Sequence, residues 1–217
     1  MFALRRFIVL NRIWIAVALL ALGFYLGFKV TWWLGWLPML IAVLTVVAHF
    51  MVGPVTIMQS YIEEGDVEGA KKIIERIKYP NLLYKPVRSM YFMLKANFSA
   101  MGDDLDAAEA EYRKGLASGT TDKEFQGTAY LQLGSIALKK GNMKEASENL
   151  RNALKIGLPD ADSNGMANLY LTQIALQRKD NRGAKFYFEK AKAAKSKNPQ
   201  IVEQINELKK YMPRLQG

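Results

Sequence analysis

The chain offers few groups with which to do chemistry. His49 is the only imidazole among 217 residues and cysteine is absent, which excludes thiol nucleophiles, thiolate metal sites and disulfides. His49 lies in an uncharged stretch, Val30 to Ile62, where a polar group is by default a relay or a ligand. Neither that stretch nor the preceding one, Ile13 to Phe28, holds a carboxylate to share a proton or a metal with it. Interfacial placement, or one hydrogen bond to a neighbouring helix, is the simpler reading of His49. Asp103, Asp104 and Asp106 form an acidic cluster, but a calcium loop needs a longer and more regular run of oxygen ligands. Just ahead of an apolar-periodic segment they suit the free amides of a helix start. The glycines stand at turns and packing positions, and none forms a phosphate-cradling run. No catalytic residue, metal site or cofactor is expected.

The informative spacing is that of small and large apolar residues. In the stretch from Thr128 to Leu158, Tyr130, Leu133, Ala137 and Leu138 share one side of a helix, and Gly134 between them admits a close neighbour. After the Gly141-Asn142 turn, Ala146, Leu150 and Ala153 form the stripe of a second helix that folds back on the first. The same trio recurs as Ala184, Phe188 and Ala191, more loosely as Ala108, Tyr112 and Gly115, and weakly as Ala70, Ile74 and Ile77. The anchors Ala70, Ala108, Ala146 and Ala184 are 38 residues apart each time. Equal spacing of one packing face is the signature of stacked helical units.

These residues resemble the tetratricopeptide repeat family, in Tyr130, Leu133, Gly134, Ala146, Leu150 and Ala153, with Pro159 near the end of the unit. The unit from Gly165 keeps Leu171, Ala184, Phe188, Ala191 and Pro199 but departs at Thr172, where the family prefers glycine, and at Asn168, where it prefers an aromatic. The unit near Ser89 offers Phe92, Ala96, Ala108, Tyr112 and Gly115, with a less regular turn expected at Gly102 to Asp106. Family units run to about 34 residues, so the longer period implies extended loops. The resemblance covers Val55 onward and implies an all-α fold: an α-solenoid of about three and a half to four helix pairs, closed by a capping helix over Ile201, Ile205, Leu208 and Tyr211. Residues 213–217 read as a frayed end.

The family lines its inner surface with the first helix of each pair. The resemblance therefore implies a partner-binding face of Met93, Thr128, Leu131, Ser135, Leu138, Lys139, Met166, Leu169, Gln173 and Gln177, which also takes in Leu176. A groove of that composition suits an amphipathic helix or an extended segment of a protein partner. Leu131 and Ser135 stand where some family members carry a carboxylate-gripping lysine and asparagine set, which argues against that chaperone-tail role.

Ahead of the repeats, two apolar stretches read as a transmembrane hairpin over residues 1–57, with spans at about 10–28 and 32–52, followed by the repeat domain over 58–217. A cleavable signal peptide fits poorly, because Tyr25-Leu26-Gly27-Phe28-Lys29 is no small-residue cleavage site and a second apolar segment follows at once. Trp32, Trp33 and Trp36 form an interfacial belt beside the turn. Arg5, Arg6 and Arg12 precede the first span, and Lys71, Lys72, Arg76 and Lys78 follow the second, against Lys29 alone in the turn. Positive charge on the inner side then puts both termini in the cytoplasm, as a multi-pass protein of a bacterial inner membrane. Gly23 and Gly27 are candidates for membrane helix packing. The second span either continues as one long helix into the first unit or kinks at Pro54. The aromatic segment from Tyr84 to Phe98 is expected to leave an apolar strip exposed.

Charge adds a constraint on partners. From Ser60 onward 26 Lys and Arg oppose 20 Asp and Glu, so the net +10 divides into +6 there and +4 before it. Dispersed lysines in aromatic-poor helices are a solvated face or contact anionic lipid headgroups, and nucleic-acid binding is disfavoured. The function expected is a non-enzymatic, membrane-anchored scaffold or adaptor holding a soluble or integral membrane protein partner at the cytoplasmic face, with homo-oligomers possible. The alternative is an accessory or assembly subunit of a larger secretion, respiratory or envelope complex. A third reading resembles the assembly factors of cytochrome c maturation, whose repeats lie outside the cytoplasm, against the charge bias.

Overall fold

In the computed structural model, residues 2–214 are described; Leu215, Gln216 and Gly217 of the expected frayed end, and the side chains of Phe2, Ala3, Arg5, Gln59 and Arg214, lie outside the described residues. Among the described residues the structure is helical and strand-free, in two compact units, 1–98 and 99–217. The boundary expected at 57/58 falls inside the first unit.

The first unit opens with α1 (Phe2–Leu10) and the antiparallel pair α2 (Arg12–Lys29) and α3 (Trp32–Val52). These two helices meet where side chains are smallest. A Cβ on Gly35 would lie 2.5 Å from the Gly23 carbonyl oxygen, and one on Gly23 would lie 2.6 Å from Met39 Cγ. At the open end of the pair, Arg12 Nη1 donates to the carbonyls of Ala48 and Gly53 at 3.3 and 3.4 Å, a cation at the electronegative end of α3.

α3 does not run on into the repeats. Gly53 takes φ +58° and Pro54 follows, so the chain turns through a short 3-10 segment, Gly53–Ile57, before α4 (Met58–Glu63) and α5 (Val67–Glu75). Of the two arrangements left open by the sequence, the structure has the interrupted one. Val9 of α1, Val55 and Ile57 of the 3-10 segment, Ala70, Ile73 and Ile74 of α5, and Tyr91 and Phe92 of α6 (Lys85–Met101) form one core. Arg6 draws α1 onto α4 through Ser60 Oγ (3.0 Å), Glu64 Oε2 (2.9 Å) and the ring of Tyr61, 3.9 Å from its guanidinium carbon.

The second unit adds α7 (Leu105–Ala117), α8 (Lys123–Lys139), α9 (Met143–Ile156), α10 (Ala161–Gln177), α11 (Asn181–Ala193) and α12 (Pro199–Lys209). α8 packs on α9 and α10 on α11, and successive pairs meet through α7 with α8 and α9 with α10. The anchors Ala70, Ala108, Ala146 and Ala184 are all 0% exposed.

The 38-residue period reaches the turns. α5, α7, α9 and α11 are each capped by Asp66, Asp104, Asn142 or Asp180, whose side chain accepts from the N–H three residues on, with φ between −85° and −83°. The residue before each cap has positive φ: Gly65 (74°), Asp103 (58°), Gly141 (78°) and Lys179 (58°). The cap N–H then reaches back to the carbonyl five residues earlier, of Tyr61, Ser99, Ala137 and Ala175, at 2.8–3.0 Å. The turn near Gly102 to Asp106 is therefore as regular as the others, a correction to the sequence reading. Asp103 supplies the left-handed residue where glycine was the visible signal. The loops between pairs repeat too: Asp122, Asp160 and Asn198 cap α8, α10 and α12 at the same interval.

α12 ends the series. Ile201 is 2% exposed, and Ile205 and Leu208 pack with it against Leu169. Glu203, Asn206, Glu207, Lys209 and Lys210 stand 38 residues after Gly165, Asn168, Leu169, Leu171 and Thr172, and all five are exposed. Tyr211, expected on the capping face, lies beyond the helix and is 58% exposed.

Candidate functional site

The face expected to take a partner is built from the first helices of the pairs. α8 and α10 are in contact, and the 38-residue period makes Thr128 equivalent to Met166, Ser135 to Gln173 and Lys139 to Gln177. Thr128, Ser135, Met166 and Gln173 are half-buried, while Lys139 and Gln177 are exposed. Met93, on α6, is half-buried and belongs to the first unit.

Leu131 and Leu169 are not on an open surface. Leu131 is 4% exposed in a core with Ala167 and Leu171 of α10, and Leu169 is 0% exposed beneath Ile201 of α12. α8 lies against α10 and α10 against α12, so the position that looked outward in an isolated pair is covered by its neighbour. Leu138 is half-buried against the same core as Leu131, and Met166 against that of Leu169. What the face presents to solvent is mainly hydroxyl, amide and ammonium groups. Its partner would be held by hydrogen bonds more than by apolar anchors.

One edge of the second unit is held by charge. Lys140 pairs with Asp106 and, at 2.7 Å, with Glu109; Arg113 pairs with Glu109 at 2.9 Å and with Glu145. The Lys140 hydrogen bond, with Arg113 adding to it, holds the Glu109 carboxyl below its ordinary range. At the α11–α12 loop, Asp162 Oδ1 accepts from Ser196 Oγ at 2.6 Å and from the N–H groups of Lys197 and Asn198 at 3.0 and 3.3 Å. Those donors lower its pKa, Ser196 most.

Asn168 makes a local opening. It stands 38 residues after Tyr130, and a notch of about 460 Å³ beside it is lined by Leu154, Asn164 and Lys190. Its Nδ2 donates to the Asn164 carbonyl at 2.8 Å, and Thr172, fully buried, donates to the Asn168 carbonyl at 2.8 Å. α10 thus satisfies its two departures from the repeat pattern largely on its own backbone.

Residues 127–156 match the family model of the tetratricopeptide repeat. That match takes in α8 from Gly127 onward, the Gly141 turn and α9. A search of curated proteins and of solved structures found no match. Outside the matched unit the tetratricopeptide-like character rests on the repeated anchors and caps.

Among the described residues no three His, Cys, Asp or Glu side chains are grouped to hold a metal ion. Among the described residues the chain is helical, with a tetratricopeptide-like repeat. In the N-terminal part, α2 and the run Trp32–Glu63 are long and apolar enough to cross a membrane. Gly23 is buried against Gly35 and Met39, and Gly27 faces Trp32, so both candidate packing glycines lie inside the hairpin. Gly35 completes that contact and was missed. Its signal was present, since Gly35 with Gly23 and Gly27 puts small residues on both helices near the turn.

Proposed function

We propose that the chain is a non-enzymatic scaffold anchored in a bacterial inner membrane by the α2–α3 hairpin, both termini cytoplasmic, holding a protein partner at the cytoplasmic face. The observation that carries this reading is the exposure of the hairpin. Trp14, Val17, Phe24, Phe28, Trp33, Leu37 and Leu44 are each about half exposed or more, on the sides of the two helices turned away from their buried contact at Ala16, Gly23, Gly35 and Ala42. The core helix of a water-soluble protein covers such residues, whereas lipid covers them in a span. The core shared by α1, α5 and α6 supports a stiff connection, because the anchor and the first helix pair then move together. The partner is taken by Thr128, Ser135, Lys139, Gln173 and Gln177 of the second unit; Met93, in the first unit, is a separate candidate contact.

Photoreactive residues at positions 93 and 173, crosslinked in intact membranes, test the proposal. A soluble protein captured mainly at 173 supports the recruiting scaffold. No protein captured at either position, in a chain that resists alkaline carbonate extraction, refutes it.

A second reading is favoured by a specific patch. Tyr79, Leu82 and Tyr84 are 63%, 55% and 56% exposed, and Met90 is 40% exposed, although Tyr91 and Phe92 of the expected apolar strip are in the core and Phe98 packs against it. A fixed accessory subunit of a larger membrane complex would bury that patch against a neighbour, and crosslinking mainly at 93 to a membrane protein is its signature.

A further inference from the structure

At the end of the hairpin away from its turn, a cleft of about 300 Å³ opens in the first unit, near the lower bound for ligand pockets. Its walls come from three places: Leu10 and Ile13 at the α1–α2 junction, His49 and Phe50 in the last turn of α3, and Arg76, Lys78 and Tyr79 after α5. The backbone that frames it is fixed, since the Tyr84 N–H donates to the Met51 carbonyl at 2.8 Å and Gly53 holds its positive φ beside Leu83. Ile13 and Phe50 are exposed apolar residues of the two helices long enough to cross a membrane. Arg76 and Lys78 are exposed cations that make no ion pair among the described residues, and no carboxylate lines the cleft.

Apolar walls continuous with the hairpin surface, under a rim of two unpaired cations and a phenol, match one ligand chemistry. We propose that this cleft binds a single anionic phospholipid of the cytoplasmic leaflet: Arg76 and Lys78 take its phosphate, Tyr79 hydrogen-bonds the headgroup, and Ile13, Leu10 and Phe50 line the start of its acyl chains. The charge complementarity selects the anionic headgroup. The apolar floor separates a lipid from a free phosphate ester. This inference rests on the membrane reading above and deepens it from general attraction to a defined site.

The test is native mass spectrometry of the full chain in mild detergent, titrated with phosphatidylglycerol, phosphatidylcholine or glycerol phosphate. One bound phosphatidylglycerol is expected, with neither of the other two retained. Arg76→Gln with Lys78→Gln should weaken retention roughly tenfold, the order expected for lost charge-assisted contacts. Lys71→Gln with Lys72→Gln removes the same charge from exposed positions of α5 outside the cleft and should leave retention unchanged. Equal loss in both double variants, equal binding of phosphatidylcholine, or displacement by glycerol phosphate would overturn the site while leaving the anchor intact. Release of the chain from membranes by alkaline carbonate would overturn the anchor itself, and the site with it.

Discussion

Replacing Gly127 by alanine sets two physical effects of opposite sign against each other. In a helix with free space around it, Gly→Ala adds roughly 1 kcal/mol of stability through backbone entropy. Gly127 has no such space: a Cβ there would sit 2.0 Å from the Gly157 carbonyl oxygen and 3.1 Å from its carbon. An ordinary carbon–oxygen contact is about 3.3 Å or more, so the α9–α10 connection would have to retreat by about 1.3 Å. The obstacle is backbone, held by the Gly157 N–H to Ala153 carbonyl bond at 3.0 Å, so rotamer change gives no escape. Overpacking of this kind costs about 1–3 kcal/mol, with backbone obstacles toward the upper end. We expect a net loss of roughly 1–2 kcal/mol, read as a lower urea midpoint with unchanged slope by far-UV circular dichroism of the full chain in detergent. A Gly127→Ala chain as stable as the parent, or more so, would show that α8 does not approach the next loop as described.

Three further outcomes follow from the same geometry. Asp104→Ala, Asn142→Ala and Asp180→Ala should each lower stability by about 1 kcal/mol and by similar amounts, because the three caps share one conformation; widely unequal losses in denaturation curves would count against the repeated turn. Glu109 is held ionised in the fold by Lys140 and Arg113, so its pKa lies below the ordinary 4.5 and its contribution is present above that value and lost as pH falls through the lower folded pKa. Glu109→Gln should therefore flatten the acid side of the stability–pH curve, and an unchanged curve would remove Glu109 from the account. Leu131→Glu should unfold the second unit, since it buries an unpaired charge at a position 4% exposed, whereas Gln173→Glu at a half-buried surface position should leave helicity intact. Equal helicity in both would place Leu131 back on the surface.

The stripe Ala146, Leu150, Ala153 and its copies was legible because small residues at helix crossings leave a periodic mark that ordinary core leucines do not. Apolar stretches without a single charge made the two long N-terminal helices equally plain. The turn before α7 was harder to read, since Asp103 adopts a conformation that sequence signals with glycine, and only the recurrence of the cap residue at 38-residue intervals betrays it. The partner face was the least legible. Whether Leu131 points to solvent depends on how closely α10 lies against α8, a property of the stack that no single helix carries. The polar residues around it were placed correctly on the first helices, but their neighbours' burial changes the character of the surface from apolar to hydrogen-bonding. Gly35 was less plain than Gly23 and Gly27, because it is the one small residue opposite them and its contact depends on how the two helices cross.

Each turn from Gly65 to Lys179 repeats not only its shape but its phase, so that helices begin at 67, 105, 143 and 181 and at 85, 123, 161 and 199. Such a chain has interchangeable joints. Excising or duplicating one 38-residue stretch between equivalent points would reconnect a helix end to the start it already expects, changing the number of links without a mismatched seam. A shorter or longer excision would put every downstream side chain out of step with its neighbour. The array is thus adjustable only in whole steps of 38 residues, each of which adds or removes one complete helix pair.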